Sequence, residues 1–167
     1  LLLKNANVFA PTPLGLNDIL ICHDKIIAIA PDLVVSVPAN LQTIDLGGKT
    51  TVPGFIDGHA HLIGGGGEGG FATRTPEVAI GKLSEAGITS VCGLLGTDGA
   101  TRHIASLYAK TKALRTEGLS AWFFTGGYRV PSPTLTGNIC DDVTFLDACI
   151  GLKTAISDHR SSQSTVG

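Results

Sequence analysis

The chain has 167 residues, 43% of them hydrophobic, and its formal net charge at pH 7 is −2. This composition excludes a disordered chain, and the interspersed charges exclude a basic surface with nucleic acid as a partner. No apolar run reaches the ~18 residues that span a bilayer, so no membrane partner is expected, and the four scattered cysteines indicate reduced thiols in a cytoplasmic protein.

Residues 1–52 have the pattern of a small all-β unit. Apolar alternation and β-branched residues predict strands over residues 1–8, 18–22, 25–30, 33–37 and 42–45. The pair His23-Asp24 predicts a hairpin turn between the second and third of these strands. Gly47-Gly48 and Pro53-Gly54 are further turn signals.

After Pro53 the pattern changes to alternating strands and helices. Strands are predicted over residues 55–63, 88–95, 120–125 and 151–157. Helices are predicted from Thr75, as a cap before Pro76, to about residue 86, from residue 104 to a stop at Gly118, and over residues 141–149. This order predicts right-handed βαβ units and a parallel sheet, in either a doubly wound fold or half of a (β/α)8 barrel.

Two histidines stand at the end of the first of these strands. Because alternate residues of a strand point to the same face, His59 and His61 are expected to present two imidazoles side by side. Imidazole binds zinc, nickel, iron and copper, so the pair predicts the start of a metal site without fixing the metal. The glycine run over residues 64–67 allows a sharp turn close to a ligand, but it lacks the ending of a nucleotide-binding P-loop.

Further polar residues follow the other predicted strands, and the active sites of parallel βα folds lie at the carboxyl ends of strands. Thr97 and Asp98 follow the second strand, Tyr128 follows the third, and Arg160 follows the fourth. Tyr128 is either a packing residue or a donor to an oxygen that becomes negative during a reaction. Arg160 is either a surface charge or a bidentate hydrogen-bond donor to a carboxylate.

Lys153 and Glu68 each allow a structural and a functional interpretation. Lysine is usually solvated, but burial in a covered parallel sheet lowers its pKa by up to ~3–5 units. A neutral Lys153 amine could react with CO₂ and form a carbamate that bridges two cations. Glu68, which follows the glycine run, is either a solvated acid or a group that binds a cation such as a substrate ammonium.

These motifs together resemble the amidohydrolase superfamily of metal-dependent hydrolases. The residues from Thr51 to Asp57 that lead into His59-Ala60-His61 are similar to its opening signature, and the strands before them resemble its small N-terminal β-sandwich. Residues 62–68, 73–77, 93–98 and 156–161 resemble the isoaspartyl dipeptidase family in particular. This resemblance extends over residues 1–162.

The resemblance implies an α/β fold, a metal-dependent hydrolase (β/α)8 TIM barrel preceded by a small β-sandwich domain. The sandwich part corresponds to residues 1–52, and residues 53–167 hold the first four βα units of the barrel. It also implies two Zn²⁺ per subunit. His59 and His61 are the implied ligands of one zinc, and carboxylated Lys153 is the implied bridge between both.

The resemblance implies roles for the remaining candidates as well. Glu68 and Thr97, with the Gly66 backbone nearby, match positions that hold a substrate α-amino group. Arg160 matches a position that pairs with a substrate carboxylate, and Tyr128 matches the catalytic residue that polarises the scissile carbonyl. The implied activity is zinc-dependent hydrolysis of β-aspartyl (isoaspartyl) dipeptides by a metal-activated hydroxide, in a homo-oligomer that is typically an octamer.

The family also needs two more metal-binding histidines and an aspartate from later strands, which residues 161–167 do not supply. We therefore expect the chain to be the N-terminal part of a longer protein and inactive alone. Two alternatives stay open. One is another amidohydrolase, such as a dihydropyrimidinase, a dihydroorotase or an N-acyl-amino-acid deacylase, which would not be expected to share the segments around Glu68 and Arg160. The other is an inactive truncated scaffold, against which the intact first half of the site argues.

Overall fold

A computed structural model of the chain describes residues 1–36 and 40–160. The chain divides into two compact units, Leu1–Pro53 and Gly54–Gly167. The first unit is a sheet of five strands: β1 (Leu2–Phe9), β2 (Pro13–Cys22), β3 (Lys25–Ala30), β4 (Thr43–Asp45) and β5 (Thr50–Thr51). The strand order is β3-β2-β1-β4, and β5 pairs with β1.

The first unit confirms the predicted hairpin and contradicts one predicted strand. β2 and β3 pair antiparallel, with Cys22 opposite Lys25 across the turn. The strand predicted over residues 33–37 is wrong for residues 33–36, which lie in no strand, and Val37 lies outside the described residues. The physical reason is that the Leu33 N–H donates to the Asp18 carboxylate rather than to a strand, and Val34 is 96% exposed.

The second unit is a parallel sheet with its helices in the connections. Its strands are β6 (Phe55–Ala60), β7 (Ile88–Gly93), β8 (Ser120–Gly127) and β9 (Cys149–Thr154). Its helices are α1 (Ile80–Glu85), α2 (Ile104–Thr116) and α3 (Ile139–Phe145). Among the described residues, none of the helices has the length and apolarity needed to cross a membrane.

The strand order of the second unit distinguishes the two folds that periodicity alone left open. The order is β6-β7-β8-β9, and each strand is parallel to the next. A doubly wound sheet reverses its strand order at a switch point, whereas consecutive strands of a (β/α)8 barrel lie side by side in chain order. The described residues therefore form four successive strands of a barrel with the three helices that connect them, so the fourth predicted βα unit is described only as its strand and the barrel is incomplete within these residues.

The core of the second unit lies where α1 and α2 pack on the sheet. Apolar side chains with at most 2% exposure fill it, because period-two strands and period-3.6 helices each place one apolar face inward. These are Leu62, Val91, Leu95, Ile104, Leu107, Leu114, Ala121, Phe123 and Ala148. Burial of apolar area at roughly 25 cal/mol per Å² is the main stabilisation of such a unit, so the strand ends are held in fixed positions.

Two helices begin at other residues than predicted. The helix predicted from Thr75 starts at Ile80, because Thr75 pairs with the glycine loop. The Thr75 N–H donates to the Gly65 carbonyl at 2.9 Å, and the Thr75 hydroxyl accepts from the Gly65 N–H at 2.7 Å. The helix predicted over residues 141–149 is α3, which starts at Ile139 because the Asn138 side chain caps it.

Candidate active site

The candidate residues of the second unit gather where its four parallel strands end. His59 is the penultimate residue of β6, and β6 stops at Ala60 rather than at the predicted residue 63, so His61 follows it directly. Tyr128 follows β8 directly, and Lys153 is the penultimate residue of β9. Because the carboxyl ends of parallel strands meet at one edge of the sheet, residues far apart in sequence share one region.

The two imidazoles lie close together, as the alternation predicts. The ring centroids of His59 and His61 are 5.6 Å apart, and the ring planes are 85° apart. His59 is exposed, whereas His61 is half-buried and packed between two loops. A Cβ atom added at Gly65 would lie 3.2 Å from the His61 ring, and one added at Gly96 would also lie 3.2 Å from it. These two glycines therefore form a cradle that only backbone can fill without displacing the imidazole.

The His61 imidazole has a free nitrogen in a buried position. Its Nδ1 atom is buried and has no hydrogen-bond partner among the described residues. Burial lowers the pKa of His61, and the positive charge of Lys153 lowers it further. Neutral imidazole is the form that binds metal, and a buried nitrogen without a partner costs free energy unless a ligand takes it. The residues present therefore fit a metal ligand at this position.

Lys153 lies on the same side of the sheet as His59. The two residues line one cavity of about 350 Å³, together with Gly58, Leu94, Phe124, Leu152 and Thr154. The Lys153 ammonium donates a hydrogen bond to the Leu95 carbonyl at 3.1 Å and lies 4.5 Å from the centre of the Tyr128 ring. Burial lowers the pKa of Lys153, and the charge of Arg160 adds to this effect, which raises the fraction of neutral amine.

The described residues supply only part of a metal coordination shell. Within residues 1–36 and 40–160, no group of three or more His, Cys, Asp or Glu residues could hold a metal ion. Zinc sites need three or four protein ligands. The imidazole pair and the Lys153 amine are therefore a partial set, and the roles assigned to them stay predictions.

The predicted substrate-binding residues form a charged cluster. The Glu68 carboxylate accepts from the Thr97 hydroxyl at 2.9 Å and from the Arg160 guanidinium at 3.1 Å. Arg160 also forms a bidentate pair with Asp158, with two nitrogen–oxygen distances of 2.9 and 2.8 Å. The pKa of Glu68 is lowered by its own backbone N–H first and by the Thr97 hydroxyl second. Sequence reasoning placed Glu68 and Arg160 at opposite ends of a substrate, whereas here they contact each other.

The cluster borders an open cavity of about 510 Å³. The cavity is lined by Gly67, Glu68, Phe71, Thr97, Asp98, Gly99, Ala100, Arg129, His159 and Arg160. Gly66 does not line it but lies one residue before its wall, with φ of +73°. Tyr128 lies between the two parts of the site, since its ring centre is 4.5 Å from the Lys153 ammonium and 5.6 Å from the Arg160 guanidinium carbon. Cations at such distances interact favourably with an aromatic ring.

Arg102 is a positioning residue that sequence reasoning did not single out. It is buried, and its guanidinium donates to the Ile63 carbonyl at 3.0 Å and to the Thr75 carbonyl at 2.9 Å. These bonds join the two ends of the loop that carries Glu68. The loop also needs glycine, because a Cβ at Gly64 would lie 2.2 Å from the Thr75 carbonyl oxygen. The sequence around Arg102 is polar and rich in small residues, so it carried no local signal of this role.

Asp142 is a second positioning residue that sequence reasoning did not single out. Its fully buried carboxylate accepts from the Thr125 hydroxyl in β8, from the Leu135 N–H, and from both the N–H and the hydroxyl of Thr136. Burial raises the pKa of Asp142, but these hydrogen bonds lower it more. Asp142 thus fastens the loop that carries Tyr128 to the sheet.

Replacing Asp142 with asparagine is expected to destabilise the protein by about 1–3 kcal/mol, because an amide cannot accept all four donors and leaves buried groups unsatisfied. Chemical unfolding measured by circular dichroism checks this value. Asp141→Asn is the matched control on the same helix, since the Asp141 carboxylate is half-buried and accepts no hydrogen bond from the described residues. Equal stability of the two variants would contradict the role of Asp142.

Comparison with known proteins agrees with this fold. The model of the amidohydrolase family matches residues 42–86. A crystal structure of β-aspartyl dipeptidase from Fervidobacterium islandicum AW-1, solved in complex with β-Asp-Leu dipeptide, is 46% identical to the chain with a TM-score of 0.90. That comparison covers 98% of this chain and 43% of the dipeptidase chain.

Two other relatives are less similar. The L-hydantoinase (dihydropyrimidinase) of Arthrobacter aurescens is 21% identical with a TM-score of 0.59, and the comparison covers 98% of this chain and 35% of that one. At this identity it shows the shared fold alone. The dihydroorotase of Elusimicrobium minutum is 38% identical over 101 residues, which are 59% of this chain and 22% of that protein.

The chain is similar to the amidohydrolase superfamily, as its motifs predict, and the predicted (β/α)8 fold is confirmed. Within the superfamily it is similar to β-aspartyl dipeptidase over nearly its whole length. It spans less than half the length of that dipeptidase and about a quarter of the length of the curated relatives it matches, 23% and 22% for the first two.

Proposed function

We propose that the chain provides the first half of the active site of a metal-dependent hydrolase that cleaves β-aspartyl dipeptides. The observation that carries the proposal is the cluster of Glu68, Thr97 and Arg160 beside the imidazole pair and Lys153. The cluster offers a carboxylate and a guanidinium to a zwitterionic substrate. The candidate metal ligands lie near it, at the ends of neighbouring strands. The crystal structure of the relative with β-Asp-Leu supports the same substrate class.

In this proposal His59, His61 and carboxylated Lys153 hold two Zn²⁺. The unpaired His61 nitrogen and its glycine cradle support a ligand there. Two zinc ions bound there would supply Lewis acidity and a hydroxide near neutral pH. The half-buried Lys153, with its lowered pKa, supports the carbamate, because only a neutral amine reacts with CO₂.

The ion pair between Glu68 and Arg160 gives a physical account of substrate binding. A substrate ammonium can replace Arg160 at the Glu68 carboxylate, with the Thr97 hydroxyl still in place, and a substrate carboxylate can take the guanidinium that Glu68 leaves. One ion pair within the protein is thus exchanged for two ion pairs with the substrate. The desolvation of charged groups that usually opposes such binding is therefore partly offset.

The proposed role of Tyr128 is to donate its hydroxyl to the carbonyl oxygen that becomes negative during hydrolysis. Its position between Lys153 and Arg160 supports this role, because both cations lie within 6 Å of the ring and favour negative charge nearby. The loop that carries Tyr128 is held by the buried Asp142, so the hydroxyl needs little reorganisation. The proposal further includes a cytoplasmic homo-oligomer, an octamer by family resemblance. The four cysteines, all in the described residues, are free thiols, which supports a reducing compartment.

Replacing Glu68 with glutamine is expected to lower kcat/KM for β-Asp-Leu by about 10- to 100-fold. The reason is that a charge-assisted hydrogen bond to the substrate ammonium is worth about 1.5–3 kcal/mol. Steady-state kinetics on the complete gene product measures the effect. Glu85→Gln is the matched control, because Glu85 is an exposed acid paired with Lys82 on α1. A Glu68→Gln variant with unchanged kcat/KM would contradict the ammonium site.

Dihydroorotase activity is the second candidate, favoured by the 38% identity to a dihydroorotase over 101 residues. A substrate panel on the complete gene product separates the candidates. We expect hydrolysis of β-Asp-Leu and at least ~100-fold lower kcat/KM for dihydroorotate, hydantoin and N-acetyl amino acids, because a cyclic amide or acylated amine cannot satisfy Glu68 and Arg160 together. Turnover of dihydroorotate without turnover of β-Asp-Leu would overturn the dipeptidase proposal.

A further inference from the structure

Arg129 lies in the candidate site but has no role in the function proposed above. It follows Tyr128 in the loop between β8 and α3 and lines the same 510 Å³ cavity as Glu68 and Arg160. Its exposed side chain extends across to the loop after β7, where a Cβ added at Gly99 would lie 3.5 Å from its Cδ and Nε atoms. The Arg129 side chain therefore runs within ordinary van der Waals distance of position 99.

The two arginines of the cavity differ in how their charges are compensated. Arg160 is paired with Asp158 through two hydrogen bonds and with Glu68 through a third. Arg129 makes no hydrogen bond or ion pair with any residue in the described ranges 1–36 and 40–160. Of the two guanidinium groups, that of Arg129 is therefore the one that an incoming anion can reach without first displacing a carboxylate of the described residues.

A β-aspartyl dipeptide carries one carboxylate more than Arg160 alone is assigned to bind. Linkage through the aspartyl side chain leaves one ammonium and two carboxylates, the aspartyl α-carboxylate and the C-terminal carboxylate of the residue that follows. Glu68 with Thr97 matches the ammonium, and Arg160 matches one carboxylate. One carboxylate then has no partner among these three residues, and a planar guanidinium is well suited to bind it through two parallel hydrogen bonds.

We propose that Arg129 is a substrate-binding residue that pairs with a carboxylate of the residue following the isoaspartyl unit. This inference rests on the proposed dipeptidase function and adds a determinant of substrate specificity to it. The carboxylate has two possible sources, the C-terminus of the dipeptide and an acidic side chain of its second residue. Both present the same planar anion to the guanidinium.

The test compares the complete gene product with its Arg129→Gln variant on four substrates. β-Asp-Leu and β-Asp-leucinamide differ only in the C-terminal charge, and β-Asp-Glu and β-Asp-Gln differ only in the side-chain charge. We expect Arg129→Gln to lower kcat/KM about 10- to 100-fold, mainly through KM, for the charged member of one pair and less than about 3-fold for its neutral partner. The pair that responds identifies the source of the carboxylate.

A second variant tests the same contact without removing the Arg129 side chain. Gly99→Asp places a carboxylate beside Arg129 without removing it, and we expect the same substrate-selective loss. Lys82→Gln, at an exposed site on α1, is the control for loss of a positive charge and should leave all four values unchanged.

Two results would overturn the inference. Unchanged kcat/KM of Arg129→Gln on all four substrates would exclude a contact with the substrate. An equal loss on all four would indicate a structural role. In either case normal activity of the unmodified protein leaves the dipeptidase proposal standing, whereas an unmodified protein that hydrolyses no β-aspartyl dipeptide overturns both.

Discussion

Replacing Lys153 with alanine is expected to remove bound metal and hydrolytic activity together. We expect activity on β-Asp-Leu to fall by more than ~100-fold, because even residues that only support a metal ligand typically cost 10- to 100-fold when mutated. In the proposal the amine of Lys153, as its carbamate, is the group shared by both zinc ions. Alanine has no amine to react with CO₂, so added bicarbonate is expected not to restore activity.

The structure favours this outcome because Lys153 is poorly placed to serve only as a surface charge. It is half-buried in β9, its pKa is lowered by burial, and its side chain shares a cavity with His59. Lys82→Ala is the matched control, since the Lys82 ammonium is exposed and paired with Glu85. Elemental analysis and kinetics on the same preparations measure both quantities. A Lys153→Ala variant that retains its full complement of metal would refute the bridging role.

The second large effect is expected for Tyr128→Phe, which removes one hydroxyl and keeps the ring. Loss of one donor to a developing negative oxygen typically lowers kcat by about 10²- to 10³-fold. We expect this loss in kcat with KM and metal content nearly unchanged, because the ring contacts with Lys153 and Arg160 do not involve the hydroxyl. This combination separates the variant from Lys153→Ala, which loses metal.

The chain offers a matched control for Tyr128, because it contains one other tyrosine. Tyr108 lies in α2 with its ring centre 5.7 Å from that of Phe123, in the core and away from the cavities of the site. Tyr108→Phe is expected to retain kcat within about 2-fold, as surface and packing changes that leave catalytic groups in place usually do. A Tyr128→Phe variant with wild-type kcat would exclude the donor role.

Much of the fold could be predicted because the local signals agree with the tertiary structure. The alternation of β-branched and apolar residues predicted all four strands of the second unit, and Gly118 correctly marked the end of α2. The start of α1 could not be predicted, because the Thr75 cap signal is local whereas its actual partner, Gly65, lies ten residues away. Tertiary hydrogen bonds overrode a sound local preference.

In the candidate site, too, local sequence signals indicated some features, whereas tertiary contacts determined the others. The two-residue spacing of His59 and His61 is a local signal, and the rings are indeed neighbours. The contact between Glu68 and Arg160 joins residues 92 positions apart, so no local pattern could indicate it. The buried roles of Arg102, in the loop before α2, and of Asp142, in α3, were also missed, because a single charged residue is usually solvated.

The metal content of the complete gene product tests the central claim most directly. The account predicts about two zinc ions per chain in protein purified without chelator, bound together with activity on β-Asp-Leu and lost together with it on chelation. Fewer than about one metal ion per chain in such a preparation would contradict the account, because His59, His61 and Lys153 would then not belong to a two-metal centre.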